Sequence, residues 1–467
     1  MKERNEDENE INEAAQRLEK ILNDGTTAYF EEEQLEEIIE FHLQKNLLKK
    51  AEQVLDFAEN IHPFSTGFII KRASVALMKG ELENATTLIE RAESLEPNSA
   101  DVYLLKAELA SQEDDYEKME NFFHKAISLS ADKNEVYFSM AVIYINAMRF
   151  EKAALALEKI IQSDPNNEQA IYELGMCYQE SGKFNEAIRW FNKYIDLEPY
   201  SAFAWFNLAT CYASRGMHGK AVEAYEYAIV IDEQFASAYF NKGNALYEMG
   251  QFTQALVDYH KVLEIEGADV TTVCQIANCT HALEQFDEAE KWYLKATEIN
   301  PQYADAWFGL GLVADGKGQL KDAEKYYRKA LLMDGSNAEY LHAFGDVNYE
   351  LEQWPAAMMS YHKVTELEPE NAEAWHDFAL TLFAMDRLDA AVSKMVEAIK
   401  IMPDRSDFHF RIASFYLLSS GHEAQAYHWL EKALDKNPEG INQLMEFDPD
   451  LESRDQVMAM IKKLLNQ

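Results

Sequence analysis

The sequence predicts an all-α chain: a solenoid of about twelve 34-residue helix–turn–helix repeats with a helix closing each end. Three observations predict it. Prolines after an apolar-acidic ending stand at Pro63, Pro97, Pro165, Pro199, Pro301, Pro369 and Pro403, and every separation is a multiple of 34. In the same frame, blocks starting at residue 32 carry a small eighth residue eleven times in twelve, from Ala73 and Ala107 through Gly243 to Ala413. The twentieth position is alanine just as often, as at Ala51, Ala187 and Ala391.

Taken in chain order, residues 10–23 place Ile11, Ala15, Leu18 and Leu22 on one helical face, which suits a cap for the first repeat. The nine residues before them are acidic and read as an unstructured tail. Domain limits follow: tail and N-terminal capping helix at 1–31, twelve repeats at 32–440, and a C-terminal capping region at 441–467. Within a repeat, large residues at helical spacing lie between the small ones, as with Trp205, Leu208 and Tyr212, then Tyr225 and Ala228. Small residues at the eighth and twentieth positions let two antiparallel helices approach closely, and the large ones fill the space between them. Glycine at the fifteenth position (Gly80, Gly182, Gly216, Gly250, Gly318) ends the first helix. Pro355 falls in the first turn of a second helix, where its missing N–H costs little. The frame slips once, Pro438 following Pro403 by 35, and an extra residue near Ser419–Gly421 accounts for it. At the end, Ser453 caps a stripe of Val457, Met460, Ile461, Leu464 and Leu465.

Composition limits what such a chain can do. With 82 acids against 43 bases the net charge is −39, and no local basic patch offsets it, so nucleic-acid binding is not expected. No stretch of 18 apolar residues occurs and MKERNEDENE has no apolar signal region, so neither membrane insertion nor secretion is expected. Cys177, Cys211, Cys274 and Cys279 lack metal-ligand or disulfide spacing, which suits a cytoplasmic protein. There is no phosphate loop, dinucleotide fingerprint, HExxH or GxSxG. No enzymatic activity and no cofactor are expected.

AWFNLATCY at 204–212 and AWFGLGLVA at 306–314 are close matches to the pattern W-x2-L-G/A-x2-Y, with Ala314 in place of the tyrosine. Each block continues with alanine, an aromatic residue and alanine, with proline closing other blocks of the frame. This resembles the tetratricopeptide repeat, and the resemblance covers residues 32–440. The first three blocks depart most, with Leu35, Ile69 and Tyr103 in place of the tryptophan and Lys106 in place of the leucine. The resemblance implies a right-handed superhelix whose first helices line a concave groove that usually holds a partner peptide. It also implies that the second, fifth, ninth, twelfth and thirteenth positions face that groove. Those sixty positions hold fifteen acids and no lysine or arginine. Family members that clamp a peptide's terminal carboxylate use basic groove residues, so that role is disfavoured here. An acidic groove favours a basic segment of a partner protein.

On that reading the partner-binding residues are Phe206, Asn207, Phe240, Asn241, Asn244, Glu248, Gln275, Asn278 and Phe308. The aromatics supply contact area and the amides can hydrogen-bond an extended backbone. Two alternatives stand beside this scaffold role. One is a structural assembly factor that self-associates through its ends. The other is metal- or pH-regulated binding by His342, Asp346 and His376, since the two histidines share the fifth position of adjacent blocks and Asp346 lies four residues after His342. Lys242, at a position that is usually a core leucine, has no explanation in the sequence.

Overall fold

The computed structural model describes residues 2–24, 29–45, 47–447, 457–459 and 461. Among these, every regular element is an α-helix, 26 in all. The backbone divides into two compact units, Met1–Glu233 and Gln234–Gln467. In both, helices alternate as the 34-residue frame requires: first helices such as Ala202–Ser214 have 13 residues, and second helices such as His218–Ile231 have 14. Within each unit, a first helix packs on its own second helix and that second helix packs on the next repeat.

Many first helices start on a polar cap at the last residue of the preceding block. Asn167, Ser201, Asp269, Asn337 and Asn371 each accept a hydrogen bond from the backbone N–H three residues on, at 2.9–3.3 Å. The ends of the first helices are more uniform than the glycines suggested. Residues 80, 114, 148, 182, 216, 250, 284, 318, 352 and 386, a series with a step of 34, all have φ between 56° and 72°. Five are glycine, and the others are Asp114, Met148, Glu284, Glu352 and Asp386. The following N–H bonds the carbonyl five residues back, as in Lys183 to Tyr178 and Gln319 to Ala314, both 2.8 Å. The hydrogen-bonded turn, not glycine, is the invariant; an L-residue adopts it at a cost of about 1 kcal/mol.

A ring from the second helix explains the small eighth residue. Tyr225, Tyr259, Tyr293 and Tyr327, all at position 24, are among the largest fully buried side chains. A Cβ on Gly243 would sit 2.7 Å from the Tyr259 ring, and one on Gly345 2.7 Å from that of Tyr361. Proline and tryptophan are linked as well. The indoles of Trp205, Trp307 and Trp375 donate to the carbonyls of Pro199, Pro301 and Pro369, each 2.9 Å away and six residues earlier. The indole thus ties the inter-repeat turn to the helix that follows it.

At the N-terminus, Ala15 and Leu18 are buried against Leu35, Ile38 and Ile39. The helix there runs Lys2–Asp24, so the acidic segment expected to be unstructured is helical. At the other end Leu444, from helix Ile441–Phe447, and Ile461 are buried with Phe410 and Leu430, and Val457 packs beside them. Ser453, Met460, Leu464 and Leu465 lie outside the described residues. The extra residue of the last block falls in the turn between Asp407–Leu418 and Glu423–Lys436, where Gly421 has φ 84°.

Candidate functional site

In five repeats the fifth residue of the first helix lies over an aromatic ring at position 24 of the same repeat. In the first unit Tyr172 packs on Phe191 and Phe206 on Tyr225, with centroids 6.0 and 5.7 Å apart. In the second, Phe240 packs on Tyr259, Phe308 on Tyr327 and His342 on Tyr361, at 5.4–5.7 Å. Phe206 and Phe240 keep part of their surface in solvent. Phe308 does not: it is 8% exposed, because it also stacks on Tyr340 at 4.6 Å.

The tyrosine at position 24 also reaches forward to the ninth residue of the same repeat, fifteen positions earlier. Tyr225 and Thr210 hydroxyls lie 3.1 Å apart in the first unit. In the second, Tyr259 donates to Asn244 at 2.7 Å, Tyr293 to Asn278 at 2.6 Å and Tyr361 to Asp346 at 2.7 Å. In the block of Tyr327 the ninth residue is Leu312, which cannot accept, and the hydroxyl has no hydrogen-bond partner among the described residues. The expected amide readers are therefore partly occupied. Asn278 donates to Gln275 at 2.7 Å and Gln275 to Asn244 at 3.4 Å, so Tyr259, Asn244, Gln275, Asn278 and Tyr293 form one chain of hydrogen bonds. Asn207, in the first unit, is 8% exposed and donates to the Tyr172 hydroxyl at 2.9 Å. Asn241 makes no side-chain hydrogen bond among the described residues, and Glu248 is exposed.

Lys242 now has an explanation. Its ammonium lies 3.3 Å from Asp258 of the paired helix, with the two side chains only 15% and 7% exposed. An ion pair replaces the usual leucine contact between the helices.

The histidines divide differently from expectation. His342 Nδ1 is 3.2 Å from Asp346 and its Nε2 is 3.2 Å from Asp377 in the next first helix. His342, Asp346 and Asp377 form the trio whose donor atoms lie within 4.8 Å of one another. His376 instead meets Asp407 at 2.9 Å and accepts from Arg411 at 3.3 Å. The hydrogen bond to Asp346, and then the Asp377 carboxylate beside Nε2, push His342 up to about 10. It is a charged bridge between two repeats, and a metal would have to displace a firmly held proton. Burial works against the Asp407 charge, but His376 and Arg405 outweigh it and hold the carboxyl well below its usual range. All four cysteines are buried, and burial pushes each up to about 12, so they remain thiols.

Family models described as tetratricopeptide repeat or TPR repeat match residues 100–133, 211–250, 236–267, 277–314 and 304–337. The chain is a tetratricopeptide repeat protein. A model described as anaphase-promoting complex, cyclosome, subunit 3 matches residues 146–228 of this tetratricopeptide repeat protein. Solved structures similar to it include a tetratricopeptide repeat protein from Parabacteroides merdae, 16% identical over 54% of this chain and 99% of the other, with a TM-score of 0.46. Another is the APC/C hetero-tetramer Cut9–Hcn1, 16% identical over 86% of this chain and 83% of the other, with a TM-score of 0.41. YrrB, described as a TPR protein with an unusual peptide-binding site, is 22% identical over 40% and 96%, with a TM-score of 0.32. No curated protein sequence matches the chain. None of the described helices is long and apolar enough to cross a membrane.

Sequence reasoning missed Tyr259, Tyr293, Tyr327 and Asp258 in this tetratricopeptide repeat chain, and saw Asp377 only as the neighbour of His376, not as the partner of His342. The signal for the tyrosines was present, since a polar ninth residue accompanies tyrosine at position 24 in every such block but that of Leu312.

Proposed function

We propose that the chain is a non-catalytic scaffold whose first helices hold an extended or helical segment of another protein, and that this segment is basic. The supporting observation is carboxylates on those helices that lack a counter-charge. In the first unit Glu108 and Glu173 are half-buried, make no ion pair among the described residues, and are pushed up by burial. In the second, burial pushes Asp315 up, and Glu350 and Asp346 add to it. An acid taken out of water without a partner costs free energy, and a lysine or arginine arriving from outside offsets that cost. Net charge adds long-range steering of a basic segment. Asn241, Glu248 and the exposed parts of Phe206 and Phe240 then supply direct contacts. Four buried free thiols suit a reducing compartment, and we place the protein in the cytoplasm.

A photo-crosslinking residue placed at 241 in the full chain tests this, with a matched residue at the exposed second-helix position 298 as control. Position 241 should capture proteins through lysine- or arginine-bearing segments that position 298 does not. Equal capture at both positions, or capture of segments with no basic bias, would count against the reading.

A further inference from the structure

One tyrosine of the series lacks its acceptor, and it lies beside an acidic cleft. Between the helices Ala304–Gly316 and Ala338–Glu350 and the start of Ala372–Ala384 there is a cleft of about 350 Å³. Phe308, Leu312, Glu339, His342, Asp346 and Glu373 line it, with Glu368 at its edge, and no lysine or arginine does. The positive charge of His342 is already shared between Asp346 and Asp377. Glu339, Glu368 and Glu373 are exposed carboxylates with no ion pair among the described residues.

The second observation is independent of the acids. The Tyr327 hydroxyl is 0% exposed and has no hydrogen-bond partner, which is costly for a buried polar group. The shared geometry of the series directs it at Leu312, a residue of the cleft wall, and its ring packs on Phe308, another. The charges nearest to it are Asp315, Asp346 and Glu339. A neutral hydroxyl among carboxylates can both accept an N–H and donate to an acid.

We propose that this cleft is the subsite for one basic side chain, arginine above all, of the segment that the scaffold binds. The inference rests on the basic-segment reading above and gives it a location. The aliphatic stem lies on Phe308 and Leu312 and the guanidinium reaches Glu339 and Glu373, while the Tyr327 hydroxyl, covered by the cleft wall in the unliganded chain, gains a partner when the Leu312 side chain moves aside. Arginine fits better than lysine because five donors in a planar fork can serve acceptors on two helices at once.

The test uses the full chain and three sets of fluorescein-labelled nine-residue peptides. Their flanks are mixed glycine, alanine and serine, and the central residue is arginine, lysine or citrulline, the last keeping the shape without the charge. Anisotropy should rank arginine above lysine, with citrulline about tenfold weaker or more. Glu339→Gln/Glu373→Gln should weaken arginine binding about tenfold and leave citrulline binding unchanged. Leu312→Asn gives Tyr327 the acceptor that Asn244 and Asn278 give its neighbours, and should weaken arginine binding several-fold without lowering the melting temperature. Equal binding of arginine and citrulline peptides would overturn the cleft assignment and leave protein binding intact. So would wild-type affinity in the double variant. If no peptide set binds, the cleft is refuted as well, and the scaffold reading stands or falls on the crosslinking at 241.

Discussion

At the residue scale, the hydroxyl of a position-24 tyrosine matters only where the ninth residue can accept it. Tyr293→Phe should cost about 1–2 kcal/mol in urea denaturation, because it leaves Asn278 without its donor. Tyr327→Phe should cost close to nothing, since its hydroxyl has no partner to lose. Equal costs at the two positions would refute this account. Lys242 gives a second contrast. Lys242→Leu alone should destabilise by about 3 kcal/mol, because Asp258 is left charged and buried. Lys242→Leu/Asp258→Leu should recover most of that loss, as a well-packed apolar pair is about as stable as a buried ion pair. The sequence marked Lys242 as anomalous but could not supply Asp258. That aspartate belongs to the facing helix, and its side chain reads as an ordinary surface acid until the pairing of helices is known.

At the scale of the element, ten of the described turns after first helices are set by a left-handed residue in a 34-residue series, and glycine occupies only five of them. Met148→Gly, at φ 56°, should therefore stabilise the chain by about 1 kcal/mol, and Gly182→Ala should destabilise it by a similar amount. Thermal unfolding reads both, and a destabilised Met148→Gly would contradict the assignment. Neighbouring first helices are also joined through His342. Its proton is bound more tightly in the folded chain than the ordinary 6.5, so its contribution is fully present below that value. The contribution declines as pH rises and is lost through about 10. The stability gap between wild type and His342→Gln should be widest near pH 6 and close steadily towards pH 10. A gap that stays constant over that range would rule out the protonated bridge. Helices, turns and repeat length were legible in the sequence because each depends on residues a fixed distance apart in one chain segment. The His342–Asp377 bridge was not. Its partners are 35 residues apart, and the equally regular His376 competed for the same role.

At the scale of the molecule, the excess of 39 negative charges makes self-repulsion a term that salt can tune. Raising ionic strength from about 0.01 M to about 0.15 M shortens the screening length from about 30 Å to about 8 Å. The melting temperature should rise by several degrees over that interval, while the association rate with a basic peptide falls. A melting temperature that fell with salt would mean that the surface ion pairs, not the net charge, dominate. The turn geometry has one further consequence. Helix phase is reset at every left-handed turn, so a residue added there moves no side chain to the wrong face, whereas one added within a helix rotates everything beyond it by about 100°. The spare residue between Leu418 and Glu423 shows the chain already absorbing such an insertion. These ten turns, 34 residues apart, are consequently the places where tags, linkers or foreign loops can be grafted with the helix pairs on either side kept in phase.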